Sequence, residues 1–258
     1  RAFEKRPSNR RRLRRIFVRS ILNSPSQKSR KSVLALSVAN AETGVIQECE
    51  EIIRSVNPDR IFLDATASGI RVQGINNYST AIFDSRSWYG PSELGLLVIK
   101  DKSLWSNQLP HLNAAHPNFE ASLPLLLASA VAIENFSSEV EEANMRARKF
   151  NSQLRDSFAQ IPDVDIAGSL DSSLPHLLSA SFLNCNGEEL LRGIQGDGFS
   201  VDSGSACTAD NLEPSHVLAA MGVLTHGNIR ITIHPDATQS EIDGLISSVK
   251  NNVERLRA

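Results

Sequence analysis

The sequence predicts an α/β layered domain followed by a smaller α+β unit, and three observations carry that prediction. Short apolar runs of strand length recur between residues 32 and 100, around one helix-periodic stretch. A long helical pattern over residues 122–160 then separates two regions, with Pro124 near its start and Pro162 just past its end. Beyond it, strand-like and helix-like segments alternate to residue 258, and the chain is long enough for one large domain or two modest ones.

Taken in order, "SVLALSVAN" from Ser32 reads as a strand. "ETGVIQECEEIIRSVN" follows with Val45, Ile46, Ile52, Ile53 and Val56 at helical spacing. "DRIFLDATASG" runs apolar to Asp64, "STAIFDSRS" is a third strand pattern, and "ELGLLVIKD" a fourth after the turn "YGPS". Past the long helix, "HLLSASFLN" reads as strand and "GEELLRGIQGDG" as helix. "FSVDSGSA" reads as strand and loop, "EPSHVLAAMGV" as helix and "GNIRITIHP" as strand. "TQSEIDGLISSVKNNVERLR" closes the chain as a helix, capped at Thr238 or Ser240 with Glu241 in its first turn.

Composition narrows the function classes. Apolar residues make up 41% and Gly and Pro are ordinary, which excludes a disordered or fibrous chain. Apolar runs fall short of a bilayer's thickness, so no membrane role is expected. Cys49, Cys185 and Cys207 lie far apart with no C-x-x-C pair. That argues against a metal site and a disulfide framework, and fits a reducing compartment, expected to be the cytoplasm.

Charge is uneven. Residues 1–31 hold twelve Lys and Arg against the single acid Glu4, which leaves 15 basic and 28 acidic residues elsewhere from totals of 27 and 29. Three readings of this Arg- and Ser-rich segment stand side by side: a targeting presequence, a basic arm for nucleic acid, or a join to an upstream region. No aromatic interleaving or known module supports the nucleic-acid reading, and nucleic acid is not an expected partner.

Few residues invite chemistry. Cys207 sits in the small-residue run "SGSACTADN" just upstream of a helix start, where backbone N–H groups and the helix dipole lower a thiol's pKa. Its alternative is an inert small residue packed behind the loop. Cys49 and Cys185 read as inert. Asp64 ends an apolar strand, where α/β proteins present functional groups, and a turn cap for "ATASG" is the alternative. Arg230 in "NIRITI" is either an ordinary surface arginine or a clamp whose planar fork suits a carboxylate.

"SGSACT", then "LEPSHVLAAMG" and "IRITI", closely resembles the C-terminal domain of cysteine desulfurases, which have the class V aminotransferase fold. "ANAETGVIQ", "FLDATAS" and "YGPSELGLLVI" resemble segments of that family's large domain, in the same order. The resemblance covers residues 32–258. It implies a partial pyridoxal phosphate (PLP)-dependent transferase large domain plus a small α+β C-terminal domain. The expected divisions are a basic segment over 1–31, a large-domain remnant over 32–121, a linking helix over 122–160, and the small Cys-loop domain over 161–258.

The family takes sulfur from L-cysteine with PLP, passes it to an enzyme cysteine as a persulfide, and hands it to a sulfur-acceptor protein. The resemblance thus implies Cys207 as persulfide carrier, Asp64 as partner of the cofactor ring nitrogen, Asn40 as a ring contact and Arg230 as clamp of the substrate carboxylate. It also implies a homodimer and a place in iron–sulfur cluster assembly. The departures are local. The family's Ser-Gly-His-Lys before "YGP" is Asp84, Ser85, Arg86 and Ser87 here, so Ser87 stands where a lysine would form the Schiff base. Arg86 is left as the cationic candidate for the cofactor phosphate, beside the opposing charge of Asp84. Ala67 replaces the family's Gln, and "HPNFEASLP" its phosphate-binding loop. Covalent PLP attachment is therefore not expected. Two readings follow: sulfur transfer through Cys207, or a non-catalytic relative acting as a binding or assembly partner or surviving as a gene remnant.

Overall fold

The computed structural model describes residues 32–104, 122–203 and 215–258. Among these the chain divides into two compact units, one of residues 32–41 and 46–144, the other of residues 42–45 and 145–258.

The first unit is built on a four-stranded sheet, β1 (Val33–Ser37), β2 (Arg60–Asp64), β3 (Thr80–Asp84) and β4 (Gly95–Ile99), in that spatial order. β1, β2 and β3 are parallel, and β4 returns antiparallel along β3. A parallel pair needs a crossover, and α1 (Cys49–Val56) supplies it between β1 and β2. Glu50 and Glu51 in its first turn and Arg54 in its last suit the helix dipole. Asn57 ends it in the left-handed region at φ 48°, its N–H bonded to the Ile53 carbonyl at 2.8 Å. Alternation along the strands turns Leu34, Leu36, Ile61, Leu63 and Ala81 onto Cys49 and Ile53 as one buried cluster.

Helical spacing places Val45 and Ile46 in α1, yet the helix starts only at Cys49. Gly44, at φ +74°, turns the chain, and Ile46 and Val45 instead form single bridges to Ala39 and Ser173. Their apolar spacing serves two extended contacts rather than one helix face.

The helix α2 (Leu123–Phe158) contributes its residues up to Asn144 to the first unit and those from Met145 onward to the second. Phe136 and Val140 bury against Trp88. Its opening corrects one expectation from composition: by length and composition alone, α2 is apolar enough to cross a bilayer. The stretch from Leu123 to Ile133 carries no charged residue; acids enter first at Glu134 and then at Glu139, Glu141 and Glu142. Leu123, Leu127 and Val131 are exposed.

The second unit holds an antiparallel sheet in the order β5 (Val164–Ile166), β6 (Leu177–Phe182), β7 (Asn228–Thr232). α3 (Gly187–Gly196), α4 (His216–Met221) and α5 (Gln239–Arg257) complete it. β6 is buried along its whole length. Leu178, Ala180 and Phe182 face a core with Ile229, Ile231, Leu154, Phe158, Leu190, Ile194, Val249 and Val253. Each such large side chain removed from water contributes roughly 1.5–3 kcal/mol. The alternate residues Ser179 and Ser181 accept hydrogen bonds from the buried amide of Asn228, both at 2.9 Å. Of the two possible caps for α5, Thr238 is the one used, in a reciprocal capping box with Glu241. No strand forms over 199–202; Asp202 makes one bridge to Arg230 instead.

Candidate functional site

The parallel strands bring their C-terminal ends to one edge of the first sheet, and five of the residues singled out by sequence gather there. Ser37, Asp64 and Ile82 lie side by side in register, and the ladder continues past the strands through Val38 N–H to the Asp64 carbonyl (2.8 Å) and Ala65 N–H to the Ile82 carbonyl (2.9 Å). Asn40 follows β1, Asp64 ends β2, and Asp84, Arg86 and Ser87 form the end of β3 and the turn after it. Open α/β sheets bind ligands at this edge because loops diverge there around exposed backbone groups. An open hollow of about 710 Å³ is lined here by Thr66, Ile82, Asp84, Arg86, Glu93 and Leu97, among others.

Asp64 is half-buried, and its Oδ1 accepts from both the N–H (2.9 Å) and the hydroxyl (2.6 Å) of Thr66. That is the turn-forming geometry of an Asp two residues before a donor. Asp84 caps the next turn: its carboxylate accepts from Arg86 N–H at 2.9 Å and from Arg86 Nε at 3.0 and 3.1 Å. The guanidinium hydrogen bonds hold the Asp84 carboxyl below the usual carboxylate range, and Asp84 in turn raises the Arg86 pKa. Arg86, exposed, is thus already forked onto a carboxylate of its own chain.

Ser87 is half-buried, and its hydroxyl donates to the Asp84 carbonyl at 2.6 Å. It lies against Gly69, at φ +53°, where an added Cβ would fall 2.7 Å from the Ser87 Cβ; only glycine lets the two loops approach so closely. Below them the loop is tethered by Arg71. This buried guanidinium donates to Asn144 Oδ1 at 2.7 Å and to the Tyr89 hydroxyl, and stacks 4.7 Å from the Phe136 ring centroid. Burial pulls its pKa down, against the countering pull of Tyr89.

In the second unit, Arg230 on β7 pairs with Asp202. Ser215 caps α4 by accepting from Leu218 N–H at 3.2 Å. Cys207 lies outside the described residues. Cys49 is buried in α1 and its thiol is pushed up to about 11, by burial first and Glu50 next, so it stays protonated. Cys185 is also buried. Sequence reasoning missed three participants: Thr66, whose Asp-x-Thr spacing is a readable turn signal; Arg71, a lone loop arginine with none; and Asp202, whose partner lies 28 residues away.

The residues of this edge can be tested against PLP. A Schiff base needs a lysine, and Ser87 offers a hydroxyl bound to backbone. Lys100 belongs to the opposite end of the sheet: its N–H donates to the Ser79 carbonyl at 3.1 Å, and its Nζ donates to the Asn76 carbonyl and lies 4.9 Å from the Tyr78 ring centroid. From Thr80 to Asp84 is about 13 Å along β3 at strand rise. Asp84 and Glu93 add negative charge where a phosphate would need donors, and Arg86 is committed to Asp84. The described residues do not fit a covalently held PLP.

The Aminotransferase class-V family model matches residues 25–245. A cysteine desulfurase IscS of Vesicomyosocius okutanii subsp. Calyptogena okutanii is 31% identical over 250 residues, covering 92% of this chain and 61% of the relative. A cysteine desulfurase of Nostoc sp. is 28% identical over 242 residues, covering 88% and 60%. Among solved structures, a NifS-like protein superimposes with TM-score 0.70 at 25% identity, over 88% of this chain and 61% of that one. The cysteine desulfurase CsdA from Escherichia coli gives TM-score 0.71 at 19% identity, over 95% and 63%. The chain spans about 61% of the length of such relatives. By the family model and these likenesses, the chain belongs to the class V aminotransferase family, has its fold, and is cysteine desulfurase-like.

Proposed function

We propose that this chain is a sulfur-transfer protein of the cysteine desulfurase type in which Cys207 carries a persulfide loaded from a donor persulfide rather than through a Schiff base on its own lysine. The observation that carries this reading is the state of the strand-end site: Ser87 bound to the Asp84 carbonyl, and Lys100 engaged at the far end of β3. The run "SGSACT" around Cys207 and Arg230 on β7 support the retained half of the chemistry. The step balances without an added oxidant. The Cys207 thiolate attacks the outer sulfur of a donor R–S–SH, forming a new S–S bond as the donor's S–S bond breaks; R–S⁻ leaves with that electron pair, and the proton stays with the transferred sulfur. L-cysteine is then the source of sulfur one step upstream, and an acceptor protein its destination, in a reducing setting such as the cytoplasm. A homodimer belongs to the same proposal.

The test is intact mass after incubation with a low-molecular-weight persulfide, in the unaltered chain and in Cys207→Ala. The expected result is a gain of one sulfur atom that Cys207→Ala loses, with no gain from L-cysteine plus PLP. Uptake that survives in Cys207→Ala, or no uptake at all, would overturn the reading in favour of a non-catalytic relative.

A further inference from the structure

Asp202 and Arg230 face each other across a two-residue bridge in the second unit. Asp202 N–H donates to the Arg230 carbonyl at 2.9 Å, and Arg230 N–H to the Asp202 carbonyl at 2.6 Å. Residues so opposed present their side chains to each other, and Arg230 Nη2 donates to Asp202 Oδ2. The second oxygen is engaged too: Ser203 N–H donates to Oδ1 at 2.7 Å. Arg230 alternates with the core residues Ile229 and Ile231, on the sheet face that carries Asn228, Ser179 and Ser181. The pair is not sealed, with side-chain exposures of 30% for Arg230 and 49% for Asp202, so dissolved ions reach it.

We propose that Asp202 is the built-in occupant of the Arg230 carboxylate site, so that an external carboxylate binds there only by displacing it. The proposal rests on reading Arg230 as the clamp for a substrate carboxylate. A guanidinium fork is specific for two carboxylate oxygens, and here a carboxylate of the same chain already stands against it, on a residue whose backbone is fixed by two hydrogen bonds to Arg230. Such an intramolecular competitor acts at an effective concentration of about the millimolar range or above. A weakly held carboxylate is excluded, whereas one with further contacts, such as an amino acid held also by its amine, displaces Asp202. Asp202 is thereby a specificity-determining residue.

The test follows the Arg230 Nε–Hε resonance of ¹⁵N-labelled full chain during titration with propionate, with chloride at matched ionic strength as control. Loss of the signal in Arg230→Gln assigns it. Asp202→Ser and Asp202→Asn are compared with the unaltered chain; amide shift dispersion checks folding, and either variant alone suffices. The expected result is saturation by propionate at about tenfold lower concentration in the variants, with no response to chloride. Equal half-saturation in all chains, or no propionate response in any, would overturn the proposal. Sulfur uptake by Cys207 is read separately on the same samples: its failure beside a retained propionate effect sinks the persulfide reading and leaves this one standing.

Discussion

The Ser87 hydroxyl donates to the Asp84 carbonyl at 2.6 Å, where the family resemblance places a lysine. The amine closest in sequence, Lys100, is held over Tyr78 at the other end of the sheet. Added PLP followed by borohydride is therefore expected to leave the mass of the protein unchanged. Lys100→Met should alter nothing in that experiment. A borohydride-fixed adduct on any lysine of the first unit would refute the account of this edge.

Cys207 and Cys49 should separate by reactivity. Cys49 is buried and its thiol is pushed up to about 11, which leaves almost no thiolate near neutral pH. Native-state alkylation at mildly alkaline pH is expected to modify Cys207 at least about tenfold faster than Cys49. Peptide mapping gives the order, and guanidinium chloride should remove the difference. Equal native rates would show that the α1 face is open.

Asp84 gives a pH prediction with a definite sign. Arg86 lowers its folded pKa below the ordinary value of about 3.9. The pair thus contributes stability above that ordinary value, and the contribution is lost as pH falls through the depressed one. In Arg86→Gln the Asp84 titration, followed by carboxyl NMR, should move up toward about 3.9. Because Arg86 is well exposed, the cost at neutral pH should stay within about 1 kcal/mol. An unmoved titration would mean that the fork does not persist in solution.

Phe158 is fully buried and packs edge-on against Phe182, ring centroids 5.8 Å apart. Phe158→Ala should destabilise the chain by about 3–5 kcal/mol, the sum of lost burial and a cavity that α2 and β6 cannot close. Denaturant unfolding reads this. A loss below about 1 kcal/mol would show a core looser than described.

Much of this architecture was legible because it depends on local pattern. The alternation in "VLALS" and "RIFLD" survives as the buried set Leu34, Leu36, Ile61 and Leu63, and Thr238 with Glu241 forms the cap that their spacing announces. The run through Val45 and Ile46 misled, because apolar spacing cannot distinguish a helix face from two bridges separated by a glycine turn. Within the site, Asp64 and Ser87 could be placed at strand ends from sequence. That Arg86 would fold back on Asp84, and Arg230 meet Asp202, could not: both depend on which carboxylate the backbone brings within reach, and periodicity carries no such information.

The reversal of β4 gives the sheet edge a practical geometry for engineering. Since Gly95 pairs with Asp84 and Ile99 with Thr80, moving back two residues along β4 carries a side chain about 7 Å toward the hollow. Leu97 stands opposite Ile82, exposed and lining that hollow. A lysine introduced there, rather than at the crowded Ser87 against Gly69, would set an amine at the hollow without disturbing the close approach of those two loops.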